Sequence, residues 1–320
     1  MKNFYPVFLC GHRKSGTSML LNLLDNNREI NVFPTDLNLL YAYYPIIEKK
    51  LNKFQKKKRL ENILFKEFAK NEIIKKNINI KKYNKIFFDE IKKNYTTKNL
   101  IYSLLNIYNL KFATNETRSI ICKETSIEIY ATEIKKWFKN AKFIHLIRDP
   151  RDNYSAIKSG LKKYYSKFND DKLSILFSVI FRYLNGLESI EINKKMIGKD
   201  YYVCRFEDLI LSPKDEMKKI CKFLKINFSE NFLIPTVMGS KTYGNNFNKL
   251  KLNKISKINV GNWSKRIDKD EAAILEHYFQ KFMKKYNYKL NFRGEFKHNS
   301  VVEFYKLINH KYFFYDRFNQ

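Results

Sequence analysis

The sequence predicts an α/β domain in which a parallel sheet of about five strands carries helices on both faces. Five short apolar runs have the character of strands, and helical patterns alternate with them, as in a parallel sheet. The fourth run, residues 141–147, is apolar almost throughout, as expected for a strand that is covered on both faces. Apolar residues make up 44% of the 320-residue chain, which is ample for the core of such a sheet.

The first strand and the first helix enclose a polar turn bounded by glycines. Residues 7–10 form a short apolar run, residues 11–18 (GHRKSGTS) form the turn, and an apolar helical pattern follows. Free N–H groups at the start of a helix bind phosphate, and glycines let the backbone approach it. The sequence therefore predicts a phosphate loop. An ordinary strand-to-helix turn with a solvated lysine is the alternative.

This turn is not a Walker A loop. That motif, G-x-x-x-x-G-K-[ST], places a lysine directly after the second glycine. Gly11 and Gly16 have the right spacing, but Thr17 stands at the lysine position and Lys14 comes three residues early. We therefore expect a P-loop-like three-layer fold whose phosphate loop has a different residue order.

The second predicted strand, residues 29–33, leads to a carboxylate. Asp36 follows it closely, at the edge of the sheet where α/β proteins bind ligands. A base at this edge can take a proton from an attacking hydroxyl group. Asp36 also precedes an apolar helical run, and aspartate is a favoured helix N-cap. The sequence leaves both roles open.

Residues 46–118 differ from the rest of the chain. The segment begins with a basic run, carries successive helical patterns and contains no glycine or proline. We expect a helical insertion that caps the site on the acceptor side and determines acceptor specificity. A single domain is predicted for residues 1–295. The aromatic, basic tail at 296–320 is expected to pack onto that domain, with a surface-lying amphipathic helix as the alternative.

The third and fourth strands also end in polar residues. The third strand, residues 119–122, is followed by KETS at 123–126. The fourth strand opens into RDPRDNYS at 148–155, where the proline suits the start of a helix. His145 lies inside the fourth strand, so we expect it to be packed or hydrogen-bonded in the core.

The remaining elements follow in order. Residues 173–192 predict a long helix, and residues 200–206 predict a fifth strand. The polar, asparagine-rich segment 236–255 predicts a mobile loop. Asp268 is expected to cap a last helix that reaches Tyr286.

Charge and cysteine content limit the classes of partner and location. The formal net charge is +30, which fits a polyanionic partner, but lysine and asparagine are abundant throughout and compositional drift is the preferred explanation. Nucleic acid is therefore not expected as a partner. The four cysteines lack C-x-x-C spacing and are expected to be buried, reduced thiols. Without a leader or a membrane-spanning run, the protein is expected to be cytoplasmic, with peripheral membrane association left open.

Five landmarks occur in the order found in one enzyme family. They are the loop 11–18, the strand exit KETS, the junction IHLIRDPRD, the segment RFEDL and the segment VGNW. Together they resemble the sulfotransferases that use PAPS (3′-phosphoadenosine 5′-phosphosulfate), in particular the branch with bacterial enzymes and the Golgi carbohydrate and tyrosine sulfotransferases. The resemblance covers residues 4–42 and 119 to about 288.

The resemblance implies roles for residues around the phosphosulfate end of PAPS. Lys14 resembles the loop lysine that contacts the 5′-phosphate and the bridging oxygen. Asp36, in DLNLL, resembles the general base of glycan N-sulfotransferases, and Lys123 resembles a lysine that reaches the sulfuryl oxygens. The other loop residues that would bind the nucleotide are Arg13, Ser15, Gly16, Thr17 and Ser18.

The resemblance also implies a site for the 3′-phosphate. Arg148 resembles the arginine that holds this group. The usual serine partner comes eight residues later, where this chain has alanine, so Ser155 is one residue early and Ser159 is a second candidate. Lys257 and Gly261 resemble parts of a K-G-x-x-G-x-W loop that closes over the 3′-phosphate, with isoleucine here in place of the first glycine.

The expected reaction is metal-independent transfer of a sulfuryl group from PAPS to a hydroxyl or amine acceptor, with release of PAP. Carbohydrate, tyrosine, lipid and small-molecule acceptors all stay open, as does the oligomeric state. A P-loop-type kinase or NTPase is one alternative, although the lysine that it needs after Gly16 is absent. A non-catalytic polyanion-binding protein is the other, and it rests on the net charge.

Overall fold

A computed structural model gives the fold of residues 4–40, 44, 48, 50–68, 71–92, 94–160, 172–242 and 254–292, with the backbone alone at 62–68 and 172–174. Its strands are β1 (Tyr5–Cys10), β2 (Ile30–Asp36), β3 (Ser119–Lys123), β4 (Lys142–Ile147) and β5 (Tyr201–Arg205). They form one parallel sheet in the order β2-β3-β1-β4-β5. The five predicted strands and the α/β class are confirmed.

Helices connect the strands. Those of the described residues are α1 (Thr17–Leu24), α2 (Lys53–Phe68), α3 (Glu72–Asn77), α4 (Ile80–Ile91), α5 (Thr97–Phe112), α6 (Ala131–Trp137), α7 (Pro150–Lys158), α8 (Lys172–Ile197), α9 (Phe206–Leu211), α10 (Pro213–Leu224) and α11 (Lys269–Lys285). In this described part of the chain, no helix combines the length and the apolarity that crossing a membrane requires.

The sheet is buried on both faces because successive side chains of each strand point to opposite sides. Val7 and Leu9 of β1 pack with α1 and α10 on one face. Phe8 and Cys10 pack with α6, α8 and α11 on the other face. This arrangement confirms the predicted helices on both sides of a central parallel sheet.

The insertion is mainly helical where it is described, and it shares the core of one face of the sheet. Its helices α2 and α5 pack against β2. Phe33 of β2 contacts Tyr108 of α5 edge to face, with ring centroids 5.2 Å apart. Within the insertion, the Tyr83 hydroxyl of α4 donates to the carbonyl of Leu104 of α5 over 2.5 Å. These contacts tie the insertion to the strand that ends at Asp36.

The last described helix begins as expected. The Asp268 side chain accepts a hydrogen bond from the backbone N–H of Glu271, and the Glu271 side chain accepts one from that of Asp268. This reciprocal capping box fixes the start of α11. The segment 236–255, predicted to be a mobile loop, begins with a short antiparallel hairpin of β6 (Thr236–Val237) and β7 (Ser240–Lys241).

Residues 243–253 of the segment predicted to be a loop, and the whole tail at 296–320, lie outside the described residues. The proposed domain limit at residue 295 falls there too and stays a prediction.

The four cysteines are free and buried, as expected. Cys10, Cys122 and Cys204 lie in β1, β3 and β5, and Cys221 lies in α10. Burial raises the pKa of each thiol, that of Cys221 to about 12. They are therefore protonated in the folded protein.

Gly11 directly follows β1 and lies beside Leu146 of the neighbouring strand β4. Its φ of 130° is a conformation that residues with a side chain rarely adopt. A β-carbon at this position would overlap the backbone carbonyl oxygen of Leu146 in β4. The glycine is therefore required both by its backbone conformation and by the neighbouring strand.

The variant Gly11→Ala is expected to lose roughly 3 kcal/mol or more of unfolding free energy, because strain and a backbone overlap act together. Gly198→Ala is the matched control: Gly198 also has a positive φ, 64°, but a β-carbon there meets no atom within 4 Å. That variant should lose only about 1–2 kcal/mol. Urea unfolding measures both, and similar losses would contradict the proposed overlap.

Candidate active site

The loop between β1 and α1 is open to an anion. Gly16, with φ 101°, precedes α1, and no side chain of the described residues caps this helix start. The first N–H groups of α1, at Thr17 and Ser18, are thus not taken by a capping side chain, and the helix dipole favours negative charge there. A β-carbon at Gly16 would overlap the Phe206 ring. These features fit the predicted phosphate loop.

Asn153, in the first turn of α7, makes hydrogen bonds to several residues of this loop. Its Nδ2 donates to the carbonyl of Arg13 over 2.9 Å and to Oγ of Ser15 over 3.1 Å. Its Oδ1 lies 2.9 Å from Nδ1 of His12, whose ring stacks on Tyr183. Sequence reasoning did not single out Asn153, although it stands inside the RDPRDN segment.

Arg148 joins the loop to a second segment of the site. It follows β4, is buried, and its Nη1 donates to the carbonyl of Lys14 over 2.8 Å. Its Nη2 donates to the carbonyl of Asn259 over 2.6 Å, and its guanidinium lies 4.5 Å from the centroid of the Phe206 ring. The buried Nε has no hydrogen-bond partner within the described ranges. Lys14 itself adopts φ 65°, a strained conformation that this contact supports.

Asp152 fixes the segment of residues 257–263. Its Oδ2 accepts the backbone N–H of Gly261 over 2.6 Å, and its Oδ1 accepts that of Trp263 over 2.9 Å. Lys257 of the same segment is exposed. The predicted 3′-phosphate residues Arg148, Lys257 and Gly261 therefore belong to one connected part of the structure. Asp152 was not predicted, although it too lies in the RDPRDN segment.

The two candidate serines, Ser155 in α7 and Ser159 directly after it, both bind the backbone of this helix. The buried Ser155 hydroxyl donates to the carbonyl of Asp152 over 3.1 Å, and the Ser159 hydroxyl donates to the carbonyl of Ser155 over 2.9 Å. Either hydroxyl would have to exchange this bond in order to contact a ligand. Their part in binding a 3′-phosphate stays a prediction.

Asp36 and Lys123 form an ion pair at the carboxyl edge of the sheet. They are neighbours in the β2–β3 register, and Nζ of Lys123 lies 2.5 Å from Oδ2 of Asp36. The Lys123 side chain is 8% exposed and that of Asp36 is 34% exposed. Oδ1 of Asp36 is buried and has no hydrogen-bond partner among the described residues. One oxygen of this carboxylate therefore has an unused capacity to accept a hydrogen bond.

The alternative role of Asp36 as a helix N-cap does not fit the structure. Strand β2 continues through Asp36, and residues 37–40 are not helical. The turn after Asp36 is instead held by Glu124, whose Oε2 accepts the N–H groups of Leu39 and Leu40 over 3.1 Å each. The charged residue after Lys123 therefore has a structural role that the sequence did not reveal.

Glu128 supports the phosphate loop from the core. It lies in a 3-10 turn (Glu128–Tyr130) and is 1% exposed. Its Oε2 accepts the N–H of Gly11 over 2.9 Å, whereas its buried Oε1 has no partner in the described ranges. Burial raises the pKa of Glu128 to about 7, because the charged form loses water and only backbone N–H groups oppose this. No motif pointed to this residue.

His145 is packed in the core, as predicted. Its Nδ1 is hydrogen-bonded to the hydroxyl of Tyr201 over 2.7 Å. Burial lowers the pKa of His145 to about 3, so the ring is neutral. It lies inside β4, away from the strand ends that form the site.

The site occupies the place where α/β sheets bind ligands. The chain passes from central β1 to edge strand β2, returns through β3, and then crosses to β4 and β5 on the other side of β1. The carboxyl ends of β1 to β4 consequently meet at a topological switch point. The parallel sheet, with a glycine-bounded loop, a buried arginine and a lysine–aspartate pair at this edge, places the protein in the class of P-loop-like α/β proteins.

Comparison with known proteins identifies the family within that class. A family model described as the sulfotransferase family matches residues 6–230. The chain therefore belongs to the sulfotransferase family, and it is a sulfotransferase enzyme by family and fold. No curated protein matches the chain.

Solved structures support the fold. The sulfotransferase domain from the curacin biosynthetic pathway is 19% identical, with a TM-score of 0.63 and coverage of 91% of this chain and 100% of that domain. The sulfotransferase domain of the Synechococcus PCC 7002 olefin synthase is 20% identical, with a TM-score of 0.62 and coverage of 91% and 98%. The sulfotransferase STF9 from Mycobacterium avium is 12% identical, with a TM-score of 0.52 and coverage of 91% and 79%.

Stability should depend on pH through Glu128. Because its pKa is higher in the folded than in the unfolded chain, the folded state binds more protons, and stability falls as pH rises toward and through 7. Between about pH 5 and pH 8, the free energy of unfolding should fall by roughly 2–3 kcal/mol more for wild type than for Glu128→Gln. Urea unfolding of both proteins at the two pH values measures this difference, and equal losses would contradict a raised pKa of Glu128.

Proposed function

We propose that this sulfotransferase moves the sulfuryl group of PAPS to a hydroxyl or amine acceptor and releases PAP. Family membership supports the transfer of a sulfuryl group. The donor and the acceptor class are the parts that need testing. The observation that carries the proposal is the Lys123–Asp36 pair beside the phosphate loop, with one carboxylate oxygen buried and unpartnered.

The residues at the loop fit the anionic end of PAPS. The start of α1 offers N–H groups, and glycines let the backbone approach closely. Lys14 adds positive charge to these donors. The residues that would bind the 5′-phosphate region with it are Arg13, Ser15, Gly16, Thr17 and Ser18.

The residues on the other side of the loop suit a second phosphate. Arg148 is buried and has a free Nε–H, and Lys257 and Gly261 lie on the segment that Arg148 and Asp152 hold in place. Arginine is suited to phosphate because its donors are planar and always charged. Ser155 would join this set after exchanging its bond to the helix backbone.

PAPS, when bound, supplies an activated sulfuryl group whose departure leaves negative charge on a phosphate. Asp36 takes the proton of the acceptor hydroxyl or amine on its free Oδ1 while the acceptor forms its bond to sulfur. Lys123 orients the Asp36 carboxylate through Oδ2, and this bond uses one of the three N–H donors of its ammonium group. Lys14 and Lys123 stabilise the charge that develops on the transferred and leaving oxygens.

The insertion is placed to form the acceptor side of the site. Its helices α2 and α5 pack on β2, the strand whose last residue is Asp36. A segment built on the strand that carries the base is well positioned to contact what the base deprotonates. We therefore propose the insertion as the acceptor-side cap.

Thermal unfolding with PAP tests the nucleotide. At about one hundred times its dissociation constant, a ligand adds roughly 2.7 kcal/mol, so PAP should raise the melting temperature by several degrees. ATP with magnesium should raise it little, since ATP has no 3′-phosphate. Arg148 lies on the 3′-phosphate side, so Arg148→Lys should reduce the PAP shift. A larger response to magnesium-ATP than to PAP would favour a kinase instead.

Replacement of the base tests the chemistry. Asp36→Asn should lower kcat by about 10²–10⁴-fold and leave the PAP-induced thermal shift nearly unchanged, because the proton acceptor is lost while the phosphate loop is intact. Release of PAP with a generic hydroxyl or amine acceptor measures this. Glu29→Gln is the matched control, since Glu29 lies beside the opposite end of the same strand, where it accepts the N–H of Asn227. Full activity in Asp36→Asn would contradict the assignment.

A further inference from the structure

The carboxyl group of Glu128 lies in the core next to the phosphate loop, which is proposed to bind an anion. One of its oxygens accepts the N–H of Gly11, the first residue of the loop. The other oxygen is buried without a hydrogen-bond partner among the described residues. On that side Gly186 of α8 leaves no room for a side chain, because a β-carbon there would overlap Oε1 of Glu128. The fold therefore confines this carboxyl group closely.

The groups that surround Glu128 are neutral near pH 7. Two groups interact electrostatically with Glu128: the Cys10 thiol of β1 and the Tyr201 hydroxyl of β5. Burial raises the pKa of both groups, so both are protonated. From α8, Asn193 donates to the backbone carbonyl of Glu128 and to Tyr201. From β4, neutral His145 reaches the cluster through Tyr201. In the described residues, no cation is coupled to Glu128 in this cluster.

A charge in this position opposes the binding of an anion at the loop. Inside the core the effective dielectric is low, so a buried carboxylate that contacts the first residue of the loop repels a negative charge bound at that loop. Protonation of the carboxyl group removes the repulsion and keeps the bond to Gly11, because a neutral acid still accepts through one oxygen.

We propose that Glu128 is a proton-linked positioning residue, which takes up a proton when the anionic nucleotide binds at the phosphate loop. The inference rests on the proposed function, since it needs PAP or PAPS at that loop. By linkage, the nucleotide binds more tightly when Glu128 is protonated, and its affinity falls as pH rises past neutrality. Glu128 touches no substrate; it acts through Gly11.

Titration calorimetry with PAP at about pH 7.5, in buffers of different ionisation enthalpy, counts the protons taken up. If PAP raises the pKa of Glu128 by one unit from about 7, the protonated fraction rises from about one quarter to about three quarters. Wild type should then take up about half a proton more than Glu128→Gln. Over the range from about pH 6 to 8.5, the affinity of wild type should fall up to about tenfold relative to that variant.

Glu216→Gln provides the matched control. Glu216 is also buried, and it accepts the Tyr202 hydroxyl over 2.7 Å, but it lies on α10 at the other face of the sheet. It should behave as wild type. The phosphates of PAP titrate equally in all three proteins, so only the differences between proteins report on Glu128.

Each outcome decides the inference. Equal proton numbers in wild type and Glu128→Gln overturn it and leave the proposed function standing. No PAP binding by wild type overturns the proposed function, and the inference falls with it. If Glu128→Gln does not fold, Glu128→Met, which is also neutral and of similar length, is the reference in its place: a larger proton uptake by wild type than by this variant supports the inference, and equal proton numbers overturn it.

Discussion

The site depends on the pairing of β1 with β4 at the point where the phosphate loop begins. Gly11 directly follows β1 there, and only a residue without a side chain fits beside the carbonyl oxygen of Leu146 in β4. From β1 the chain enters the phosphate loop, and from β4 it presents Arg148, which reaches back to the carbonyl of Lys14 and across to that of Asn259. A wider gap between these strands would separate the loop from the segment that Arg148 holds. The site thus depends on the pairing of these two strands as well as on its charged residues.

Local sequence patterns predicted the five strands, the loop and the junction after β4, because each is a contiguous run whose apolar period and glycine or proline positions reveal its structure. The pairing of Asp36 with Lys123 could not be predicted in this way. It depends on β2 lying next to β3 and on a register shift between Val32 and Asp36, and both are properties of the assembled sheet. The sequence placed each residue at the end of a strand; the topology brought the two together.

The residues that sequence reasoning missed are those whose role comes from burial. Glu128 stands in a stretch of ordinary helical character, and only the close packing of Gly186 against it makes it a core carboxyl group. Asp152 and Asn153 lie in the RDPRDN segment that the sequence analysis identified. Their side chains, however, form hydrogen bonds with backbone groups of other segments. Ser155 shows the converse: its position suggested a ligand contact, and the structure turns its hydroxyl onto its own helix.

The four buried thiols can report local opening of the structure through their alkylation. Alkylating reagents attack the thiolate, and burial keeps these groups both protonated and out of reach. Alkylation of these thiols therefore requires local or global opening of the structure. Cys10, Cys122 and Cys204 sample three of the five strands, whereas Cys221 samples a covering helix. Their separate alkylation rates would compare how often the sheet opens with how often the covering helix opens, without any engineered probe.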